Sequence, residues 1–316
     1  TLTQNEMTVT RLYAGDNLFT VSGGGYEPNG EITSPEGAPV QDNPILQRLM
    51  EIATLCNEAE LQHKEDGSWQ MIGDPTEGAM LSVAGKFGAI RSELDKQHPR
   101  LGDLPFDSDR KMMTVFHDGF PEGKVALTKG APDIVLDRCS HEMTADGVVP
   151  LTAERKTEIL ASNSAFARTA LRVLSFAYSI HEDGNFENVE TNMIFAGLMG
   201  MIDPARPEAR DAIAVCTGAG IRAVMITGDY KETAVAIAKD LGLMKDGDNV
   251  MTGAELENMS DSDLRIACEK TAVYARVSPE HKVRIVEALQ SHGHIASMTG
   301  DGVNDAPALK RANIGV

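Results

Sequence analysis

The chain has 316 residues, of which 42% are hydrophobic, and its formal net charge is −18 at pH 7. This length and hydrophobic content predict two domains of ordinary size, each with its own core. The excess of acidic residues argues against a nucleic-acid partner, because phosphate backbones select proteins with clustered lysine and arginine.

The sequence predicts neither a membrane span nor a disulfide framework. No stretch approaches the roughly 20 apolar residues of a transmembrane helix, so we expect no direct membrane insertion by this segment. The four cysteines are scattered and form no Cys-x-x-Cys pair, which argues against a zinc site as well and predicts small buried thiols in a reducing compartment. A P-loop pattern is not present, so a phosphate site would have to be built differently.

From about residue 11 to residue 201 the sequence mixes helical and strand-like patterns. Helical periodicity marks residues 44–56 and 153–171, and short strand-like runs occur at 114–116 and 125–128. This is an α+β pattern, and it differs from the pattern of the last third of the chain. We therefore predict a domain inserted into another fold.

The last third of the chain alternates strand and helix signals. Strand-like runs at 221–226, 272–277 and 294–298 are each followed by polar loops, and helical periodicity marks 232–241. A serine and a proline at 278–279 predict the start of a further helix that continues to residue 290. Repeated strand–helix units predict a parallel sheet covered on both faces, with ligands bound beyond the carboxyl ends of its strands.

Residues 299–305 (TGDGVND) come directly after one of these strands and contain two carboxylates, Asp301 and Asp305. Grouped carboxylates suit Mg²⁺, a hard cation that prefers oxygen ligands. The alternative is an ordinary turn that uses glycine, asparagine and aspartate for their loop preferences. The longer motif, which continues to Lys310, favours the metal site.

Two further elements suit phosphoryl chemistry. Thr227 ends a strand just before a helix, where its hydroxyl and the helix amides could contact a phosphoryl oxygen. Lys282 falls in the first turns of the next helix, where its ammonium could neutralise phosphoryl charge. Taken singly, Thr227 and Asp229 could merely cap a helix, and Lys282 could be a solvated surface charge.

These three elements, in this order, resemble the haloacid-dehalogenase superfamily. Residues 1–9 (TLTQNEMTV) resemble the residues after the phosphorylated aspartate in the P-type ATPase signature Asp-Lys-Thr-Gly-Thr-Leu-Thr. The resemblance implies that the acceptor aspartate precedes Thr1. It also implies Mg²⁺ ligands at Asp301 and Asp305, and catalytic roles for Thr227, Gly228, Asp229, Lys282, Asn304 and Asp305.

The inserted region resembles the nucleotide-binding domain of the calcium- and sodium-pump branch of the same family. The resemblance rests on residues 74–79 (DPTEGA), 105–111 (PFDSDRK), 129–132 (KGAP) and 170–174 (ALRVL). It implies that an aromatic ring stacks on adenine, a glutamate accepts from the adenine amino group and basic residues supply positive charge to the nucleotide pocket. The implied nucleotide contacts are Glu77, Phe106, Lys111, Lys129, Gly130, Arg172 and Arg276.

Each of these residues also has a simpler interpretation. Phe106 could belong to the core, Glu77 could be a helix N-terminal acid, and the basic residues could be solvated. Ser108 stands where some calcium pumps carry an arginine, so the triphosphate contacts could differ. Two histidines at 292 and 294 resemble a metal-binding pair, although a turn between helix and strand explains them more simply.

Together these features predict a haloacid-dehalogenase-like, doubly wound α/β phosphorylation domain (residues 1–5 and 203–316) with an inserted α+β nucleotide-binding domain (residues 6–202). The resemblance implies ATP and Mg²⁺ as cofactors. It implies transmembrane and actuator domains of the same parent protein as partners, at the cytoplasmic face of a membrane. The parent would couple ATP hydrolysis, through an aspartyl-phosphate, to cation transport, whereas this segment would bind nucleotide without normal turnover. The alternatives are a soluble phosphatase of the same superfamily and a non-catalytic nucleotide-binding module.

Overall fold

A computed structural model describes residues 2–4, 6–37, 40–181, 188–300 and 303–316. The chain folds as two units: a central unit, Asn5–Pro204, and a terminal unit built from Thr1–Gln4 and Ala205–Val316.

The central unit combines an antiparallel sheet with flanking helices. Its strands are β1 (Thr8–Ala14), β2 (Asn17–Val21), β3 (Ile32–Thr33), β4 (Glu60–His63), β5 (Trp69–Ile72), β6 (Arg100–Asp107), β7 (Met112–Phe120), β8 (Gly123–Gly130), β9 (Cys139–Thr144), β10 (Gly147–Pro150), β11 (Arg172–His181) and β12 (Met193–Ile202). Its helices are α1 (Pro44–Leu55), α2 (Pro75–Phe87), α3 (Arg91–Gln97), α4 (Pro132–Asp137) and α5 (Ala153–Arg168). The main sheet has the order β3-β2-β1-β12-β11-β8-β7-β6, with β9 and β10 attached through β12, and β4 pairs with β5 separately.

Helices cover both faces of this sheet. Successive residues of a strand point to opposite faces, and in β11 Phe176 packs in the same core cluster as Leu49 of α1, whereas Ala177 packs with Ile159 of α5. The predicted helices at 44–56 and 153–171 are confirmed as α1 and α5. The α1 helix begins where expected because Asn43 accepts hydrogen bonds from two first-turn amides and a proline comes directly after it.

His117, a buried residue of β7, should make the stability of the protein depend on pH. Its Nδ1 lies 2.8 Å from the carbonyl oxygen of His98, and burial lowers the pKa of the imidazole below 6.5. The unfolded chain therefore binds a proton more readily than the folded one, and the free energy of unfolding should fall as the pH drops below about 6.5. Urea unfolding at several pH values would show this slope. It should shrink in His117→Gln and persist in His63→Gln, which changes an exposed histidine.

The terminal unit is built from parallel strands and helices. Its strands are β13 (Met225–Ile226), β14 (Asn249–Thr252), β15 (Thr271–Ala275), β16 (Ser297–Met298) and β17 (Ile314–Gly315). Its helices are α6 (Pro207–Gly218), α7 (Lys231–Asp240), α8 (Gly253–Glu257), α9 (Asp261–Cys268), α10 (Pro279–Gln290) and α11 (Ala306–Arg311), with a 3₁₀ turn at Val303–Asp305. One parallel sheet has the order β13-β15-β14, and β16 pairs in parallel with β17.

The β15 strand shows why this unit is doubly wound. All its residues are buried, which is typical of a parallel strand with both faces covered. Val273 packs in one cluster with Ile237 of α7, and Tyr274 packs in another with Ile285 of α10. The α/β fold predicted from the alternating pattern is confirmed. The predicted start of α10 is confirmed as well, because Ser278 caps it.

Two of the predicted strands are shorter in the structure. The run at 221–226 forms a strand only over Met225–Ile226, and the run at 294–298 only over Ser297–Met298. Within the described residues β13 pairs with β15 alone and β16 with β17 alone. The first residues of each run therefore have no neighbouring strand with which to form a sheet. Ile221 is 59% exposed and Ile295 is 73% exposed as a result.

All four cysteines lie within the described residues and are unpaired, as predicted. In the same ranges no helix has both the length and the apolar character that crossing a bilayer requires.

Candidate functional site

The start of α2 gathers several of the predicted residues of the central unit. Asp74 caps this helix by accepting hydrogen bonds from the amides of Thr76 (2.8 Å) and Glu77 (3.3 Å). Pro75 at the first helical position needs no amide partner. These contacts fix the first turn, so the Glu77 side chain is held at a helix N-terminus, where the dipole favours a carboxylate.

Glu77 forms an ion pair with Lys129, the penultimate residue of β8. The two side chains are 14% and 9% exposed, so the pair is largely withdrawn from water. The second oxygen of Glu77 accepts a hydrogen bond from the Glu58 amide at 3.1 Å. Burial raises the pKa of the nearby Cys56 thiol to about 11. The thiol therefore stays protonated at neutral pH and does not compete with Glu77 for the Lys129 ammonium.

Arg172, at the start of β11, reaches the same helix turn. Its Nη1 donates to the hydroxyl of Thr76 at 2.9 Å, and the rest of the residue is exposed. The structure therefore brings Glu77, Lys129 and Arg172 together around one helix terminus, although they come from three separate elements.

Phe106 lies near the end of β6 and is 65% exposed. It lines an open groove together with Leu104, Pro105, Asp107 and Arg110. The exposure rules out the core interpretation of this residue. A largely exposed aromatic face is available to stack on a planar ligand.

A tight turn connects Phe106 to Lys111. Asp107 accepts hydrogen bonds from the amides of Asp109 (2.9 Å) and Arg110 (2.8 Å), and these bonds lower the pKa of its carboxyl. Lys111 closes the turn in the left-handed region, with φ of 53°, and its amide donates to the carbonyl oxygen of Asp107 at 2.6 Å. Its side chain is exposed.

Sequence reasoning missed the anchor beneath this turn. The Arg110 guanidinium pairs with buried Glu190 at 3.2 Å and donates to the carbonyl oxygen of Pro105. Glu190 also accepts from the Thr114 hydroxyl at 2.8 Å. This carboxylate ties the turn that carries Phe106 to β7, and no local sequence pattern marks it.

Gly130 ends β8 in close contact with β7. A Cβ atom at this position would lie 2.6 Å from the carbonyl oxygen of Lys111, 2.7 Å from the Cβ of Met112 and 2.9 Å from its Cα. Glycine is therefore required here because β7 and β8 approach each other closely at this point, next to the Lys129–Glu77 pair.

In the terminal unit, Thr227, Gly228 and Asp229 form the turn between β13 and α7. The Thr227 hydroxyl donates to the Asp229 carboxylate at 2.8 Å and accepts from the Asp229 amide at 3.1 Å. Both Gly228 and Asp229 are exposed. The turn therefore places the Thr227 hydroxyl and the exposed Gly228 beyond the carboxyl end of a parallel strand.

Arg276 comes directly after β15 and belongs to this unit, not to the unit that contains the other predicted nucleotide contacts. Its amide donates to the carbonyl oxygen of Asp229 at 3.0 Å, and its guanidinium lies over the Tyr230 ring at 4.2 Å. Its φ of 55° places it in the left-handed region. These contacts join the loops after β13 and β15.

Lys282, in the first turns of α10, forms an ion pair with Asp305, and the two side chains are 16% and 11% exposed. The surface-charge interpretation of Lys282 is therefore wrong. Asp305 also packs against Gly300, where an added Cβ would lie 2.7 Å from its Oδ2. Asn304 is exposed beside it, and Asp301 lies outside the described residues.

These groups lie just beyond the carboxyl ends of β13, β15 and β16, where parallel sheets place their ligands. A hydroxyl, an ammonium and carboxylates in that position suit an oxyanion and a hard divalent cation.

Comparisons with known proteins agree with this description. A protein-family model described as haloacid dehalogenase-like hydrolase matches residues 151–310, and one described as P-type ATPase, cytoplasmic domain N, matches residues 45–208. The fold is thus haloacid dehalogenase-like, with an inserted α+β domain. The second match covers more than half of the chain, and the chain belongs to the P-type cation ATPase family.

Curated relatives align with the whole chain. It is 46% identical to calcium-transporting ATPase 1 of Bacillus cereus and 44% identical to the calcium-transporting ATPase of Bacillus subtilis. It is also 44% identical to cation-transporting ATPase pma1 of Synechocystis. The chain covers 36% of the Synechocystis protein, 33% of the Bacillus cereus protein and 36% of the Bacillus subtilis protein, or about a third of their length.

Proposed function

We propose that the chain is the ATP-binding and phosphorylation region of an ion pump that couples ATP hydrolysis, through an aspartyl-phosphate, to cation transport across a membrane. Relatives named calcium-transporting ATPases support a calcium-pump-like parent. The partners of the region are then the transmembrane and actuator domains of that parent, and the region lies on the cytoplasmic side.

The observation that carries this proposal is the position of Lys129, Glu77 and Arg172 around the start of α2. In a chain with a formal net charge of −18, two basic side chains and one carboxylate at a helix N-terminus leave this place with a local net positive charge, which suits an anion. The Arg172 guanidinium suits the phosphates of ATP, whereas the Lys129–Glu77 pair suits the adenine end, where Glu77 offers an acceptor for the amino group. Phe106 supplies a stacking face, and Lys111 adds a further positive charge.

The terminal unit would receive the phosphoryl group. The Thr227 hydroxyl and the Asn304 amide bind its oxygens, and Lys282 neutralises its charge. The carboxylate donors suit Mg²⁺, which would be held by Asp301, with Asp305 orienting its water ligands. When bound, the metal supplies further neutralisation of phosphoryl charge.

The sequence contains no Asp-Lys-Thr-Gly motif. We therefore expect the chain to bind nucleotide and to form no acid-stable, hydroxylamine-labile phosphoenzyme. Incubation with radiolabelled ATP and subsequent acid precipitation would test this. A labelled, hydroxylamine-sensitive band would contradict the assignment of the acceptor.

Phe106→Ala should weaken binding of a non-hydrolysable ATP analogue by about 5- to 150-fold, because stacking on an aromatic ring contributes roughly 1–3 kcal/mol. Stability should change little, since the side chain is 65% exposed. Calorimetric titration would measure the affinity. The matched control is Leu101→Ala, which removes a 48%-exposed side chain from the same strand. Equal affinities for the two variants would exclude Phe106 from the nucleotide site.

A further inference from the structure

A second group of metal-ligating side chains lies in the terminal unit, apart from the proposed phosphoryl ligands. The Cys268 thiol, the Glu269 carboxylate and a ring nitrogen of His292 all lie within 4.8 Å of one another. His294 lies beside this group of three, since its Nε2 is 2.9 Å from the Glu269 carboxylate, and it can supply a fourth ligand. We propose that these four side chains form a binding site for a zinc-class divalent cation.

The local fold explains how these donors meet. Cys268 is the last residue of α9 and Glu269 is its C-cap, so the two are adjacent at the negative end of a helix dipole. His292 and His294 lie between α10 and β16, on either side of Gly293, whose φ is 81°. The two imidazole centroids are 6.2 Å apart.

Hydrogen bonds already orient two of the donors. His292 Nε2 lies 2.6 Å from the carbonyl oxygen of Arg265, and the Cys268 thiol donates to the same oxygen at 3.1 Å. A metal-binding histidine commonly donates one ring N–H to a carbonyl or carboxylate and offers its other nitrogen to the metal. The Arg265 carbonyl is such a partner, and the Glu269 carboxylate can be one for His294.

The donor set selects the metal. One thiolate, two imidazoles and one carboxylate match the ligands and the coordination number of Zn²⁺, whereas Mg²⁺ requires hard oxygen ligands. Cys268 is buried, and Glu269 and His292 are exposed, so the cation has a direct route from solvent. On binding, the thiol gives its proton to solvent as the sulfur–metal bond forms.

Such a site would fasten the end of α9 to the loop that leads from α10 to β16. Because the folded state binds the cation and the unfolded chain does not present the same site, Zn²⁺ should raise the thermal stability of the chain. The site also differs in metal preference from the carboxylate loop that includes Asp305. A zinc-class cation could therefore act on this region without replacing Mg²⁺.

The test is a calorimetric titration of the reduced 316-residue chain with Zn²⁺, together with absorption spectra of its Co²⁺ form. We expect one Zn²⁺ per chain and a thiolate-to-cobalt charge-transfer band. His292→Ala and Cys268→Ser should each weaken Zn²⁺ binding at least about tenfold and remove or reduce that band. His294→Ala should weaken binding similarly.

Cys216→Ser is the matched control, because it removes a partly buried cysteine of the same unit that lies outside the cluster. It should keep both the Zn²⁺ affinity and the cobalt band. Cys268 is buried in a core cluster, so exposed His292→Ala serves as the variant in which the fold is retained. Absence of stoichiometric Zn²⁺ binding, or unchanged binding in His292→Ala, would overturn the proposal.

Discussion

Lys129→Met should lower the free energy of unfolding by about 3 kcal/mol, because removing one member of a largely buried ion pair leaves the other without a partner. The unpaired group is Glu77, whose side chain is only 14% exposed. The same change should weaken ATP-analogue binding at least about tenfold, since it removes a cation from the proposed nucleotide site. Urea unfolding and calorimetric titration measure the two effects separately.

Two further variants separate structure from binding. Adding Glu77→Gln to Lys129→Met removes the uncompensated charge, so it should restore most of the lost stability without restoring nucleotide affinity. Arg210→Met breaks the Arg210–Asp240 pair, whose side chains are 58% and 56% exposed, and should cost less than about 1 kcal/mol. An equal loss of stability in Lys129→Met and Arg210→Met would contradict the claim that burial makes the Lys129–Glu77 pair the more important of the two.

Gly130→Ala should cost about 1–3 kcal/mol of stability, which is typical of overpacking in a well-packed region. The added methyl would meet the Lys111 carbonyl and the Met112 backbone at less than 3.0 Å, and backbone atoms of a paired strand cannot rotate away. We expect β7 and β8 to separate slightly, displacing Lys129 and reducing ATP-analogue affinity as well.

Gly24→Ala is the control for Gly130→Ala. It lies in the same unit, and a Cβ there would meet no heavy atom within 4 Å. Both changes restrict the unfolded chain equally, so their difference reports the clash alone. Circular dichroism during urea unfolding would measure both variants. Equal stabilities would show that the strands adapt without cost.

Much of the fold could be predicted because its signals are local. The helices α1 and α10 begin at capping side chains followed by proline, and such pairs are readable over a few residues. The predicted strands at β13 and β16 are too long, because an apolar run indicates which residues are hydrophobic. It does not indicate whether a neighbouring strand is present to accept and donate the backbone hydrogen bonds.

The candidate site was predictable only in part, for a related reason. Resemblance pointed to Arg172 and Glu77, but the hydrogen bond from Arg172 to Thr76 spans 96 residues. The bond from Thr114 to Glu190 spans 76 residues, so nothing near Phe106 in sequence identifies its anchor. Pairings of this kind depend on strand order in the sheet, which a single sequence does not specify.

The Lys129–Glu77 pair also bears on which anions the central unit can admit. Because the two charges compensate each other, Lys129 attracts a small anion less than a free ammonium would, and Arg172 is the group that leaves this helix terminus net positive. Inorganic phosphate that drew Lys129 away would leave Glu77 without its ion-pair partner. An adenine nucleotide can donate its amino group to Glu77 and carry its phosphates toward Arg172 while the pair stays intact. On the proposed function, the pair thus favours an adenine nucleotide over inorganic phosphate.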